Sequence, residues 1–348
     1  MPRERPKIRL GPLLSRRVVL SVGLLLLLAL PLEANPYIIY VANIGFIYVL
    51  LSADLNILIG YTGQLAFANA ALFGVGAYTT GLLQVRLGFP YWAAAPCGVA
   101  AAVILGLVIA FPALRLKRLY LSLASLAFAY SSLWVFMNWE PVTYGAGGFR
   151  VPPLDLGALP IARPIAIYYM SLVAMVVLVL LLWNLIRSRV GRAFVAVRES
   201  EVAAASLGIS LMKYKAIAFG ISAFSAGLAG ALFETLLGIV TPESFDIFNV
   251  VLQFCMVVVG GLGSLWGSVL GAAVLIVADE AIRAFRDLEE MSFLTAASAR
   301  AGENASYSNT TLSLRPLIPP AALISLTARF MPSRPPSPMN AAGPVMGP

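Results

Sequence analysis

Few residues in this chain could support acid–base, nucleophilic or metal chemistry. The absence of histidine excludes imidazole catalysis and His-ligated metals. Cys97 and Cys255 both lie in apolar runs, where we expect two buried hydrophobic side chains and neither a disulfide nor a metal pair. No GxxxxGKS or GxxxxGKT phosphate-binding loop occurs. We therefore expect no catalytic residues, metal, cofactor or enzymatic activity in this chain.

Polar side chains inside apolar runs are the remaining candidates for chemistry. Gln64 and Asn69 begin a stretch that is rich in alanine and glycine, and Asp54 is the only acid deep in the early runs. Polar groups at membrane depth tend to face the bundle interior or a water-filled path, so Gln64 and Asn69 are candidates to line a translocation path. The alternative is a hydrogen bond between helices. For Glu234 we expect a carboxylate that reaches the interface or is paired locally.

One segment, Gly191–Lys215, concentrates Arg, Glu, Lys, Ala and Gly between membrane-grade apolar sequences. Within it, Ser200–Leu207 is predicted to form a short helix, with Gly208 ending it in a left-handed cap. A helix this short is marginal alone in water and needs something to pack against. The segment is either an ordinary cytoplasmic loop held by its positive charges or a docking element for a soluble partner.

The composition assigns the chain to the integral membrane proteins. It has 348 residues, of which 60% are hydrophobic and 11% charged, and its mean hydropathy is +0.87. A soluble domain would be about 45–50% apolar and about 25% charged. The net charge of +8 does not indicate nucleic-acid binding, because the basic residues cluster in short loops beside apolar spans.

The apolar runs predict an all-α, polytopic helical bundle with about eight spans, since a crossing needs about 20 residues. Residues 1–17 are predicted to be a basic cytoplasmic terminus, 18–290 the transmembrane domain, and 187–215 a cytoplasmic loop. The predicted spans are 18–32, 37–59, 64–85, 92–111, 119–139, 165–186, 214–240 and 248–278.

The last of these runs is too long for one straight crossing and contains the sequence Gly260-Gly261-Leu262-Gly263-Ser264. We predict a helix, a break, and then a second half-helix or re-entrant segment. Broken helices at membrane depth occur where protein or a cavity covers the freed backbone, and they are typical of transport pathways. Gly260, Gly261, Gly263 and Ser264 are therefore further candidates for the translocation path. A tilted, closely packed helix is the alternative.

The distribution of basic residues predicts the orientation. With the amino terminus inside, the inner segments before residue 216 hold fifteen Lys and Arg residues and the outer segments three. This asymmetry satisfies the positive-inside rule and places the loop 187–215 in the cytoplasm.

Three blocks of the sequence resemble a known family. Glu201, Ala203, Ala204 and Gly208 are similar to the "EAA…G" loop of ABC importer permeases, and Arg198 precedes them. Asp54–Leu83 and Thr241–Val274 resemble permeases of branched-chain amino acid importers, the LivM-like subunits in particular. The blocks occur in family order, and the similarity runs from about residue 42 to about residue 286. Asn69 departs from the pattern, because the family commonly has His there.

The resemblance implies a permease subunit of an ATP-driven importer for branched-chain or related hydrophobic amino acids in a bacterial inner membrane. It implies a second permease subunit, a cytoplasmic ABC ATPase dimer that uses the ATP, and a periplasmic substrate-binding protein. In the family the "EAA" loop forms a coupling helix against the ATPase. The alternatives are a permease for urea or short amides and an ion-coupled secondary transporter. The absence of paired intramembrane carboxylates weighs against the secondary transporter.

The family pattern fails after residue 290. Residues 291–348 are rich in Ser, Pro, Ala and Arg, and their longest apolar run is about half a span. We predict a disordered tail, explained either by a frameshift near codon 290 or by a natural regulatory extension.

Overall fold

The computed structural model describes residues 23, 25–31, 35–64, 66–113, 118–155 and 162–304. Its contacts divide the chain into two units, residues 1–287 and 288–348. The first unit is a helical membrane bundle, and the second is described only as the end of the last helix. The basic terminus predicted at 1–17 lies outside the described residues. The predicted tail begins inside that last helix, which continues to Asn304, and the rest of the tail also lies outside the description.

The polytopic bundle predicted from the apolar runs is confirmed. Among the described residues, seven helical segments are long and apolar enough to cross a membrane: Pro36–Tyr61, Tyr91–Phe111, Tyr120–Asn138, Arg163–Arg187, Leu211–Leu237, Pro242–Gly260 and Leu265–Arg286. Of the first predicted span, residues 25–31 are helical, and Leu27 accepts a hydrogen bond from Tyr168 at 2.7 Å.

The helices are numbered in chain order and joined by short elements. The long helices are α1 (Pro36–Asn56), α2 (Asn69–Leu87), α3 (Tyr91–Ala113), α4 (Arg118–Asn138), α6 (Arg163–Arg187), α9 (Leu211–Leu237), α10 (Ile247–Gly260) and α11 (Leu265–Asn304). The short helices are α5 (Glu140–Thr143), α7 (Arg189–Glu199) and α8 (Glu201–Ser206), and a π-helical turn, Ile57–Tyr61, follows α1. Two-residue strands β1 (Phe149–Arg150) and β2 (Ile239–Val240) pair antiparallel, with Phe149 opposite Val240.

Helices α2, α3 and α9 pack against one another and form the centre of the bundle. Small residues allow this, because a Cβ on Gly76 would lie 2.5 Å from the Gly227 carbonyl oxygen on α9. Helix α2 begins at Asn69 and not at Gln64 as predicted from the apolar run. Gly63 has a positive φ of 68°, which ends the preceding π-turn and keeps the residues before Asn69 out of the helix.

The break predicted at residues 260–264 is confirmed, but the run 248–278 is not a single crossing. It forms a hairpin in which α11 reverses the direction of α10. On α11, Ser264 and Ser268 lie beside Asn56, whereas Ile276 lies beside Gly45. Helix α11 is therefore antiparallel to α1, and its residue-286 end lies on the opposite side of the bundle from the break. Glycine backbones cross closely here, because a Cβ on Gly260 would collide with the Gly267 carbonyl.

Helix α10 is too short to cross alone. Its 14 residues span about 21 Å, against about 30 Å for a hydrocarbon core. A 3-10 turn, Pro242–Phe245, leads into it from the end of α9. Phe245 is 3% exposed and packs on Phe73 of α2 at a centroid distance of 5.0 Å, so the helix starts inside the bundle.

Cys97 and Cys255 are free and exposed, which corrects the prediction of two buried side chains. Lipid is as apolar as a protein interior, so an apolar sequence in a span does not determine which of its residues are buried.

Candidate functional site

Three polar side chains from separate segments meet inside the bundle, and we refer to them as the polar triad. They are Asp54 on α1, Asn69 at the start of α2 and Gln253 on α10, each at most 2% exposed. The Asn69 side-chain nitrogen Nδ2 donates to Asp54 Oδ1 at 3.0 Å and to Gln253 Oε1 at 2.8 Å. Asn69 thus makes the interhelical hydrogen bonds that the sequence left as an alternative to a path-lining role, and the two roles are compatible.

Each side chain of the polar triad also carries a buried atom without a hydrogen-bond partner. These atoms are Asp54 Oδ2, Asn69 Oδ1 and Gln253 Nε2. A buried donor or acceptor left unpaired costs about 1–3 kcal/mol. Three such atoms in one cluster lower the stability of this arrangement. Their retention indicates that the groups bind a partner in another state of the protein.

Gln64 lies apart from the polar triad. Its Nε2 donates to Thr62 Oγ1 at 3.1 Å, and its backbone N–H donates to the Leu58 carbonyl at 2.8 Å. Its Oε1 is buried without a partner. The side chain therefore belongs to the irregular connection between the π-turn and α2.

The glycine-rich break is held to α1 by Asn56, which is fully buried. Its Nδ2 donates to the Ser264 carbonyl at 2.8 Å and to Ser268 Oγ at 2.6 Å. Its Oδ1 accepts from the Gly263 N–H at 2.8 Å. All hydrogen-bonding atoms of this amide are thus used on the hairpin. Gly60 completes the contact, because a Cβ there would collide with Gly263 N and Asn56 Oδ1. We call Asn56, Gly60, Gly263, Ser264 and Ser268 the glycine cluster.

Arg198 on α7 connects the predicted coupling loop, residues 187–215, directly to the glycine cluster. Its Nη1 donates to the Gly60 carbonyl at 2.6 Å. That carbonyl lies in the π-turn at the carboxyl end of α1, where a cation and a donor are both favourable. A Cβ on Gly263 would lie 3.0 Å from the same Nη1, and Gly263 has a φ of 80°. A side chain at this position would be strained and would crowd the arginine.

Helix α7 anchors the coupling loop to the bundle. Ser188 caps its amino end by accepting from the Val190 N–H at 3.1 Å. Gly191, Ala193, Phe194 and Val197 form its buried face, and Phe194 meets the ring of Tyr214 edge-on at 6.5 Å. This packing supplies the support that a short helical segment needs.

The predicted short helix is present as α8. Ser200 Oγ accepts from the Ala203 N–H at 3.2 Å as its amino-terminal cap, and Gly208 has a φ of 79° beyond its carboxyl end. Ala204 is buried, whereas Ala203 is exposed. Glu201 pairs with Lys215 at the start of α9 at 2.8 Å.

The outer face of this region is apolar although it lies outside the spans. Val202 is 82% exposed and Leu207 is 78% exposed, one on α8 and the other at its carboxyl end. Exposed apolar side chains beside charged residues are typical of a protein-binding surface. Val202 and Leu207 could not be singled out from the sequence, because β-branched and aliphatic residues are common in membrane proteins.

A second buried polar group lies near the opposite end of the bundle. Glu234 is fully buried, so the predicted alternative of a carboxylate reaching the interface is wrong. Its Oε1 accepts from Gln84 Nε2 and from Thr235 Oγ1, both at 2.9 Å. Local pairing, the other alternative, is the arrangement observed.

The sequence comparisons give one consistent result. The family model described as "Branched-chain amino acid transport system / permease component" matches residues 37–297. The chain is 31% identical over 301 residues to the high-affinity branched-chain amino acid transport system permease protein LivM of Escherichia coli K12, covering 80% of this chain and 71% of the relative. It is 25% identical to the corresponding LivH protein of Salmonella typhimurium, covering 71% and 85%.

A more distant relative belongs to a different import system. The autoinducer 2 import system permease protein LsrC of Enterobacter sp. 638 is 26% identical over 260 residues, covering 73% of this chain and 71% of the relative. No solved structure matches the chain.

Proposed function

The chain belongs to the family of branched-chain amino acid transport system permease components, and from that premise we propose that it is one permease subunit of an ATP-driven importer for branched-chain or related hydrophobic amino acids. Its partners would be a second permease subunit, a cytoplasmic ABC ATPase dimer and a periplasmic substrate-binding protein. The chain would supply part of the translocation path and the mechanical connection to the ATPase.

The observation that carries this proposal is the hydrogen bond from Arg198 to the Gly60 carbonyl. A loop that only held its position by charge would not need a side chain bonded to the backbone of the π-turn that adjoins the glycine-rich hairpin. The exposed Val202 and Leu207 offer the adjoining surface to a soluble partner. Movement of that partner would pull on α7 and α8 and, through Arg198, on the carboxyl end of α1 and the α10–α11 hairpin.

The hairpin changes the charge count for the proposed orientation. Because α11 reverses direction, Arg283 and Arg286 join the side opposite the coupling loop. Counted up to residue 286, that opposite side then holds five basic residues, against fifteen on the side of the loop. The positive-inside rule still places the amino terminus and the loop 187–215 in the cytoplasm. Arg283 also pairs with Asp279 at 2.9 Å, which partly neutralises it. We propose a bacterial inner-membrane location because the chain is similar to permease components of bacterial import systems.

Uptake by the reconstituted system tests the function. The chain would be co-expressed with its partner permease, ATPase and binding protein, placed in proteoliposomes, and assayed for uptake of radiolabelled leucine, isoleucine and valine. We expect uptake that needs ATP on the ATPase side and stops with a hydrolysis-deficient ATPase. Uptake driven by an ion gradient without the ATPase would instead support a secondary transporter and refute the proposal.

A further inference from the structure

We propose that the polar triad, Asp54, Asn69 and Gln253, recognises the charged ends of a zwitterionic amino acid during its passage through the membrane. The inference rests on the proposed transport function and adds a site within this chain to it. The three side chains come from α1, from the start of α2 and from α10, and none is more than 2% exposed.

The unpartnered atoms of the triad match an amino acid backbone. Asp54 Oδ2 and Asn69 Oδ1 are free acceptors, and Gln253 Nε2 is a free donor. Each free atom shares a carbon with an atom that already bonds within the triad, so the three lie within one small region. An α-ammonium group would donate to the two oxygens, and an α-carboxylate would accept from the amide nitrogen.

An ionised Asp54 would favour a cationic ligand group over a neutral one. Polar and ionisable groups at membrane depth mark substrate or ion pathways and pair with one another or with their ligand. None of the ion pairs found in the described part of the chain involves Asp54. An ammonium group would supply the missing positive charge with directed hydrogen bonds.

An aromatic cluster beside the triad suits an apolar side chain. Phe73 lies four residues after Asn69 on α2, so the two share a helix face. The Phe73 ring packs against Phe245 at 5.0 Å and against Phe233 at 5.1 Å between centroids. The triad therefore lies about one helical turn from an apolar aromatic cluster, and a branched-chain amino acid presents the matching combination of a zwitterion and an aliphatic side chain.

Access to the triad depends on α10. This helix carries Gln253 and lies between the turn Pro242–Phe245 and the residues Gly261 and Gly263, which have positive φ values of 103° and 80°. The structure shows the site closed. Displacement of α10 would separate Gln253 from Asn69 and open the triad. The glycine cluster lies between α10 and the coupling loop, so movement of the loop can reach α10.

Direct binding tests the site. The permease–ATPase complex, in lipid nanodiscs without the binding protein, would be titrated with radiolabelled leucine and competed with isocaproate and isoamylamine. Each competitor keeps the apolar side chain and only one of the two charged groups. We expect saturable leucine binding, with each competitor at least about tenfold weaker, because each loses charged hydrogen bonds.

Matched variants separate recognition from folding. Asp54→Asn removes the charge at constant size, and Gln253→Glu replaces the donor by an acceptor. We expect each to weaken leucine binding at least about tenfold while the complex still co-purifies. Glu234→Gln changes another fully buried carboxylate and should leave leucine binding unchanged. Equal loss in Glu234→Gln, or normal binding in Asp54→Asn, would overturn the inference.

The two proposals fail in different ways. If the complete system imports leucine with ATP but the nanodisc complex binds none, the triad is a structural or water-filled cluster and only the site inference fails. If the complete system imports no amino acid, the proposed function fails and the site inference with it.

Discussion

Replacing Arg198 with alanine removes the side chain that joins the coupling loop to the glycine cluster. The variant keeps the backbone of α7, whose buried face is formed by other residues, so the loop should still fold and the ATPase should still bind. The variant loses the bond from Nη1 to the Gly60 carbonyl at 2.6 Å, together with the exposed ion pair between Arg198 Nη2 and Glu199 at 3.5 Å. If that bond transmits movement, ATP hydrolysis should continue while transport falls.

The size of the effect follows from the type of bond. A hydrogen bond with a charged donor contributes about 1.5–3 kcal/mol when well shielded. The Arg198 side chain is 41% exposed, so we take about 1–2 kcal/mol. A bond of this strength present in one of two states biases their populations by a factor of about 5–30. We therefore expect the leucine transported per ATP hydrolysed to fall by about that factor.

A double-mutant cycle makes the test specific. Gly263→Ala adds a Cβ at a φ of 80°, 3.0 Å from Arg198 Nη1 and 3.3 Å from the Gly60 oxygen. Alone it should also lower the transport ratio, through strain of about 1–2 kcal/mol and crowding. In the Arg198→Ala background the crowding disappears, so the second substitution should cost less.

The assay measures leucine uptake and phosphate release together in proteoliposomes. Arg192→Ala is the matched control, because Arg192 is on the same helix but exposed. Within the described part of the chain its side chain donates one hydrogen bond, to the Arg187 carbonyl at 3.4 Å. The control should keep a normal ratio. Strictly additive effects of the Arg198 and Gly263 substitutions, or a normal ratio in Arg198→Ala at normal expression, would refute the reasoning.

Two further predictions address topology and docking. In a cysteine-free background, Ser200→Cys should react with a membrane-impermeant thiol reagent only in inverted vesicles. Gly147→Cys and Arg286→Cys should react only in right-side-out cells. Labelling of Arg286→Cys from the same side as Ser200→Cys would disprove the α10–α11 hairpin. Gly208→Val places a β-branched residue at a φ of 79°, and Glu201→Lys breaks the pair with Lys215 and reverses a charge at a helix amino terminus. Both should leave insertion intact but reduce ATPase co-purification and uptake, and normal co-purification in either would argue against docking at α8.

The elements that follow from local chemistry were predictable from the sequence. Apolar runs of about 20 residues specify spans because the lipid core has a fixed thickness. Ser200 and Gly208 specify the ends of α8 because a hydroxyl can cap backbone N–H groups and glycine adopts positive φ freely. The interruption at residues 260–264 was predictable for the same reason, since consecutive glycines weaken a helix.

The direction of the chain after that interruption was not predictable. A kinked crossing and a hairpin use the same glycines, and the choice depends on Asn56, which bonds Gly263, Ser264 and Ser268 across more than 200 residues of sequence. The hydrogen-bond partner of Gln253 was not predictable either, because a single amide in an apolar run can face any neighbouring helix. In the sequence, Arg198 cannot be distinguished from the other basic residues of the loop, because its bond to the Gly60 carbonyl depends on the fold.

The carboxyl end of α1 explains how two distant tasks can be connected over a short distance. Asp54 of the polar triad and Gly60, whose carbonyl Arg198 holds, are six residues apart, which is about 9 Å along a helix. Between them Asn56 holds the hairpin, and the π-turn Ile57–Tyr61 is of a kind that is frequent at functional sites. A displacement of α7 that shifts Gly60 therefore acts on the hairpin and on the triad through the same two turns of helix. No long pathway of side chains is needed, because the coupling loop and the polar triad are attached to one rigid segment.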